Sequence, residues 1–177
     1  MFRRSYLFLS IALLLTGLLI LYRYLGGFTK PRIGYFNKQE YRIGGVHYEG
    51  SITDAEWEEL FYRMAELVRT DSIKGDLAIV WYNEPEEEKG MARAFIGIRF
   101  EGKVLLPPDM ETRKIIMNGV VRATLESHVL VISRPVKIAR QIRSWAEEHD
   151  LPLQDILLEI YLEESVIHTE IPVKPRL

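Results

Sequence analysis

Apolar and polar positions along this chain follow two periods, one near 3.6 residues and one of two. They are preceded by a block that follows neither. Tyr6–Tyr22, YLFLSIALLLTGLLILY, runs 17 residues without a charge. As a helix that run rises about 25 Å at 1.5 Å per residue, against a hydrocarbon core of roughly 30 Å. Continuing to Leu25, with Arg23 reaching the headgroups, closes the difference. Tyr6, Tyr22 and Tyr24 stand where an aromatic belt places them. A cleaved signal peptide competes, because Arg3 and Arg4 form a basic n-region. The run is longer than a usual h-region, however, and YRYLGGFTKP offers no A-x-A-like cleavage site. A core helix would carry a recurring polar stripe, and none is present. The pattern predicts an uncleaved single-pass anchor over residues 1–25 and a linker over 26–40, punctuated by Gly26, Gly27, Pro31 and Gly34. Basic residues flank both ends of the span, so the positive-inside count is nearly tied; it leans toward a cytosolic domain.

From residue 41 to 177 the pattern reads as one domain. Tyr41–Glu49 is strand-like. Thr53 and Glu56 have capping-box spacing and open a helix. Its apolar face is Trp57, Leu60, Phe61, Met64, Leu67 and Val68. Leu77–Tyr82 is a strand, Asn83–Gly90 a polar turn. Ala92–Phe100 is a second strand, with Ala92, Ala94, Ile96, Ile98 and Phe100 on one face. Lys103–Glu111, with Pro107-Pro108, links two halves. The order then repeats: a strand within Ile115–Ser133, bent near Glu126–Ser127, and a helix started by Pro135. That helix is expected to bury Ile138, Ile142, Trp145, Ala146 and His149. Leu153–Leu162 is apolar on both faces, hence a central strand. Ser165–Val173 closes the chain. The expectation is an α+β fold: duplicated β-α-β-β units form one curved antiparallel sheet with two helices, preceded by a single N-terminal transmembrane helix. The helices cover one face and leave a groove near the pseudo-twofold axis.

Composition narrows the function. With 23 basic and 25 acidic residues the net charge is -2, which argues against a nucleic-acid surface. No cysteine is present, so a lipoprotein anchor is excluded. His47, His128, His149 and His168 lack metal-ligand spacing, and neither a nucleophile elbow nor a phosphate loop occurs. No metal or cofactor is expected. Arg134, Lys137, Arg140 and Arg143 form a basic stripe, read as the solvated face of the second helix.

Several strings resemble the GyrI-like small-molecule-binding domain, the effector-binding domain of AraC- and BmrR-type regulators. They are Gly45-Val-His-Tyr-Glu-Gly50, Ala78-Ile-Val-Trp-Tyr-Asn-Glu-Pro85, Leu158-Glu-Ile-Tyr-Leu162 and Thr169-Glu-Ile-Pro-Val-Lys174. The resemblance covers about residues 33–174. The layout is similar to membrane-anchored members, including a eukaryotic ER-phagy receptor with such a domain behind one transmembrane helix. The chain lacks that receptor's long disordered tail and the regulators' helix-turn-helix. Asn83 stands where many members have Asp.

Glu159 is the most telling residue. Period two puts Leu157, Glu159 and Tyr161 on one face of an apolar strand. A carboxylate there costs several kcal/mol unless paired, hydrated or protonated. Two readings remain open: a site residue, or a carboxylate that faces water or pairs with Arg122 or Arg93. The resemblance implies that this glutamate lies in the ligand pocket and meets cationic aromatic ligands. Tyr48, Trp57, Trp81, Phe95 and Tyr161 are the candidate walls; Trp57 also reads as helix-to-sheet core. Trp81 and Tyr82 face opposite sides, and we assign Trp81 to the groove. The expected function is a membrane-tethered module that holds an amphipathic or cationic aromatic ligand at Glu159. Two alternatives stand beside it: a hydrolase of strained electrophilic small molecules using Glu159 as base, and a protein-interaction adaptor. A groove plugged by its own side chains would favour the adaptor. The expected partners are such a ligand and the bilayer through residues 6–25, with no nucleic acid.

Overall fold

Two long strands organise the domain: β1, Arg32–Ser51, and β4, Glu111–Glu126. The computed structural model describes residues 2–24, 29–83, 91–126, 135–163 and 166–175. Helix α1 (Phe2–Tyr24) precedes β1; α2 (Ala55–Arg69), β2 (Asp76–Trp81) and β3 (Met91–Arg99) follow it. After β4 come α3 (Pro135–Glu148), β5 (Leu157–Glu163) and β6 (Val166–Pro172). The domain is therefore β-α-β-β twice, as the periodicities predict.

Each unit pairs its own strands, β1 with β3 with β2 and β4 with β6 with β5, all antiparallel. The units join along β1–β4 and again along β2–β5. The expected curved antiparallel sheet is present, and its pairings close into a six-stranded barrel. Closure gives every strand a partner on both sides, although β1 outside Ile43–Gly45 and β4 before Val120 are paired along one edge only.

β1 exceeds the expected Tyr41–Glu49. Residues 32–40, which the glycines and Pro31 suggest as linker, pair with β4 from Arg32↔Thr124 to Glu40↔Ile116. The α2 cap also differs. The N-cap is Asp54, and the Thr53 hydroxyl bonds Ser51 Oγ at 2.8 Å instead of closing a capping box. β5 starts at Leu157; Leu153 makes an isolated bridge to Val173. His149 lies exposed just past α3, stacked on Trp145 at 3.8 Å, rather than on the buried face. The predicted bend at Glu126–Ser127 and most of the turn 83–90 lie outside the described residues, as do Arg134 and His128.

Side chains divide between two faces. On one, α2 and α3 pack over Ile79, Trp81, Ala94, Ile96, Val121, Ala123, Leu157 and Ile171. α3 contributes four fully buried residues, Ile138, Ala139, Ile142 and Ala146, whereas Met64 is the buried residue of α2. On the other face Ile43, Val80, Phe95, Val120, Leu158 and Ile160 are buried together with no described helix residue among them. That burial comes from the sheet closing on itself, as in a small barrel filled by its own side chains.

Of α1, the described side chains are Phe8 and residues 11–24, and they include exposed Leu13, Leu14, Leu18 and Ile20. Over the described residues no helix is long and apolar enough to cross a membrane. The transmembrane span expected over residues 1–25 is thus not shown by the fold.

The partner switch of β1 depends on glycine. Ile43, Gly44 and Gly45 pair with β3 and β4 at once; beyond them β1 keeps one partner on each side. Gly45 faces Gly97, and a Cβ on Gly97 would lie 2.1 Å from the Gly44 carbonyl oxygen. Gly97→Ala is expected to lower unfolding free energy by about 1–3 kcal/mol or more, the range for overpacking. Gly34→Ala, whose Cβ meets nothing nearer than 3.7 Å, should not. Urea denaturation of both variants checks the difference; equal midpoints would remove the constraint.

Candidate functional site

β5 is flanked by β2 and β6, with Glu159 opposite Ile79 and Thr169. Strand alternation turns Leu157, Glu159 and Tyr161 toward the helix-covered face. Glu159 is 4% exposed. Trp81 lies opposite Leu157, one diagonal step away, close enough for a long side chain to reach across. Its indole Nε1 donates to Glu159 Oε2 at 2.9 Å. The Tyr161 hydroxyl is the second donor to this carboxyl group.

Both donors are neutral. Arg122 and Arg93, the partners suggested by the sequence, are engaged elsewhere, Arg122 with Glu170 and Arg93 with Glu49. Burial therefore dominates and pushes the Glu159 carboxyl up to about 7, against the lowering effect of its two hydrogen bonds. Burial, then the adjacent carboxylate, drives the Tyr161 hydroxyl well above its ordinary value.

An aromatic stack continues outward from this carboxyl. Trp57 lies 5.1 Å from Trp81 and 5.1 Å from Tyr48, centroid to centroid. Phe61 meets the edge of Tyr161 at 6.1 Å and 83°. Trp57 and Phe61, both half-buried on α2, are also walls of a cavity of about 340 Å³. Its other walls are Ile52, Thr53, Asp54, Glu58 and Tyr62. The open space thus stops at the aromatic layer, and the groove over Glu159 is filled by the protein's own rings.

Five of the six candidate residues come together: Glu159, Tyr161, Trp81, Trp57 and Tyr48. Phe95 does not. Ala94 and Ile96 point to the helix side, so Phe95 turns to the barrel interior, 5.1 Å from His47 and under the Arg113 guanidinium. Phe61 is a site residue the sequence reading treats as helix-face core; its i+4 spacing from Trp57 is the signal that joins them.

A second buried carboxylate, Glu170, is 0% exposed and faces the interior. Tyr41 donates its hydroxyl to Oε1 at 2.9 Å and Arg122 its Nε at 2.6 Å. Oε2 has no described partner. Burial raises this carboxyl, opposed chiefly by the Arg122 charge. His168 nearby is held down at about 4 by burial and by Arg122 and Arg99. Among the described residues no group of three or more His, Asp or Glu side chains is placed to hold a metal ion.

No family model matches the chain, and no curated protein matches it. Solved structures do. An uncharacterised conserved protein from Listeria innocua superposes with a TM-score of 0.60 at 12% identity, over 86% of this chain and 98% of that one. A hydrolase from the same organism gives 0.57 at 12% identity, with the same coverage. The C-terminal domain of EcmrR gives 0.55 at 13% identity, over 83% of this chain and 98% of that one. At such identities the likeness establishes the fold, which is GyrI-like, and leaves the chemistry to the residues.

Glu159 also makes a pH prediction. Its folded value near 7 exceeds the unfolded value, so the fold favours the acid form. The stability this contributes is complete below the unfolded pKa and lost as pH rises through 7, on the order of 3 kcal/mol from pH 4.5 to above 7. Glu170, also raised by burial, acts in the same direction. Urea denaturation at pH 5 and pH 8 is expected to show the parent weaker at pH 8 and Glu159→Gln with a smaller difference. An identical difference in the variant would show that Glu159 is ionised throughout.

Proposed function

We propose that the domain is a small-molecule-binding module that takes an amphipathic or cationic aromatic ligand at Glu159, held at a membrane by α1. The carrying observation is a buried carboxyl with two neutral donors and, among the described residues, no cation, beneath a layer of aromatic rings. Such a group is destabilised when ionised, and a ligand cation is the partner it lacks. The rings supply π-faces for a flat cation. The resemblance of its sequence strings to effector-binding domains, together with a fold shared with the EcmrR C-terminal domain, supports a small-molecule-binding role. The 17-residue uncharged run, with the exposed apolar side chains of α1, supports tethering.

Two other readings have an observation each. A carboxyl near pH 7 suits a general base, and one structural neighbour is a hydrolase. The filled groove suits an adaptor that uses its outer surface. Neither accounts for a buried carboxyl that no described cation answers.

Titration with naphthylmethyl-trimethylammonium tests the binding reading. Affinity should rise between pH 6 and pH 8 as Glu159 ionises. Glu159→Gln should weaken it by about 1.5–3 kcal/mol, the range for hydrogen bonds to charged groups. Affinity that ignores both pH and the substitution would refute the site. Tethering is tested separately. The full chain should stay with membranes through a carbonate wash, and release of a form beginning near Gly26 would overturn the anchor.

A further inference from the structure

The mouth of the barrel holds a second set of groups with the opposite charge preference. β2 ends at Trp81, and Tyr82 turns away from Glu159 toward the interior-facing side, where β4 begins. Arg113 donates Nη1 to the Tyr82 hydroxyl at 2.7 Å and Nε to Glu111 Oε1 at 2.8 Å. It also lies 5.0 Å over the Phe95 ring, and its Nη2 has no hydrogen-bond partner among the described residues. Three contacts hold this guanidinium in one place while one donor edge stays available.

That edge borders a cavity of about 520 Å³. Its apolar walls are Val80, Ile115, Ile116 and Ile156; Tyr82, Thr112, Arg113 and Lys114 supply the polar groups. Among the described residues that line it there is no carboxylate. Lys114 is bridged to Glu40 at 2.8 Å, with both side chains about half exposed, so this ion pair is weak and exchangeable. The volume falls within the range of about 300–1,000 Å³ typical of small-molecule sites. An apolar floor, two hydroxyls and two cations, each paired with an exposed carboxylate (Glu111 and Glu40), describe the receptor for an organic anion with an apolar body. A guanidinium held by its neighbours is suited to carboxylate geometry, because little rotamer freedom is lost on binding.

We propose that this cavity binds an amphipathic carboxylate, its acid group on Arg113 Nη2 and Lys114 and its apolar body against Ile115 and Ile156. It is separate from the Glu159 site: the two share no lining residue. A buried carboxyl at one site and two cations at the other give them opposite selectivity.

The test uses the full chain in lipid nanodiscs, with empty nanodiscs as control, and ¹⁹F NMR of 4-(trifluoromethyl)benzoate at pH 7.4. Saturable line broadening is expected, with 4-(trifluoromethyl)benzyl alcohol at least tenfold weaker. Arg113→Gln should raise the dissociation constant at least tenfold. Lys114→Glu, on an exposed side chain that folding does not need, should raise it severalfold, while Glu159→Gln leaves it unchanged. The proposal is overturned by absence of broadening, by equal binding of the alcohol, by indifference to Lys114→Glu, or by loss of binding in Glu159→Gln.

Discussion

The pairing of β1 with β4 is the constraint on which the rest depends. Each strand begins a unit, and their antiparallel ladder runs from Arg32↔Thr124 to Gly45↔Glu111. It fixes the two units about a pseudo-twofold axis and brings β2 to β5, which closes the ring. Without that second seam Glu159 would sit in an edge strand, its side chain beside solvent. With it, β5 is flanked on both sides, and any group on its helix-covered face is taken out of water.

Two carboxylates one strand apart show what closure does. Glu159 and Glu170 belong to neighbouring strands and face opposite sides. Glu170 has a guanidinium and a hydroxyl, so its charge is largely answered within the fold. Replacing such a partner leaves an uncompensated charge and is costly, the signature of a structural ion pair. Glu159 has an indole and a phenol. These orient the carboxyl without neutralising it, so no charge opposes burial there, whereas at Glu170 the Arg122 charge opposes burial without overcoming it. The difference between a structural and a receptive carboxylate is here the chemistry of the donor, not the degree of burial.

Most of the element order was legible in the chain because helical and two-residue periods alternate cleanly from Tyr41 to Pro172. Period two put Glu159 and Tyr161 on one face and separated Trp81 from Tyr82, but it did not say which of those two enters the groove. Phe95 was legible too: placing Ala94 and Ile96 on one face already sends Phe95 to the other, and its aromatic character obscured that. What could not be read was long-range. His168 and Glu170 alternate with Ile167, Thr169 and Ile171 as a solvated face does, yet the closed ring half-buries His168 and buries Glu170 completely. The pairing of residues 32–40 was hidden by Gly34 and by polar Asn37, Lys38 and Gln39, which resemble a linker and are tolerated because β4 is alongside. The partner of Arg122 was undecidable by spacing, since 37 and 48 residues separate it from the two glutamates.

The filled groove sets the terms for what Glu159 accepts. A ligand must move Trp81 or Trp57, and so must replace the burial of an indole and one hydrogen bond to the carboxyl. A neutral aromatic of similar size restores the buried area, at about 25 cal/mol per Å², and leaves the bond unreplaced. That deficit is roughly 1.5–3 kcal/mol when the acceptor is ionised. An aromatic cation restores the area and adds an attraction of about 4 kcal/mol at 4 Å for an effective dielectric of 20. A cation without rings gains the attraction but leaves an unfilled apolar space. Charge and aromatic area are each insufficient to displace the indole, and together they suffice, so the aromatic layer that closes the site is also what makes it selective.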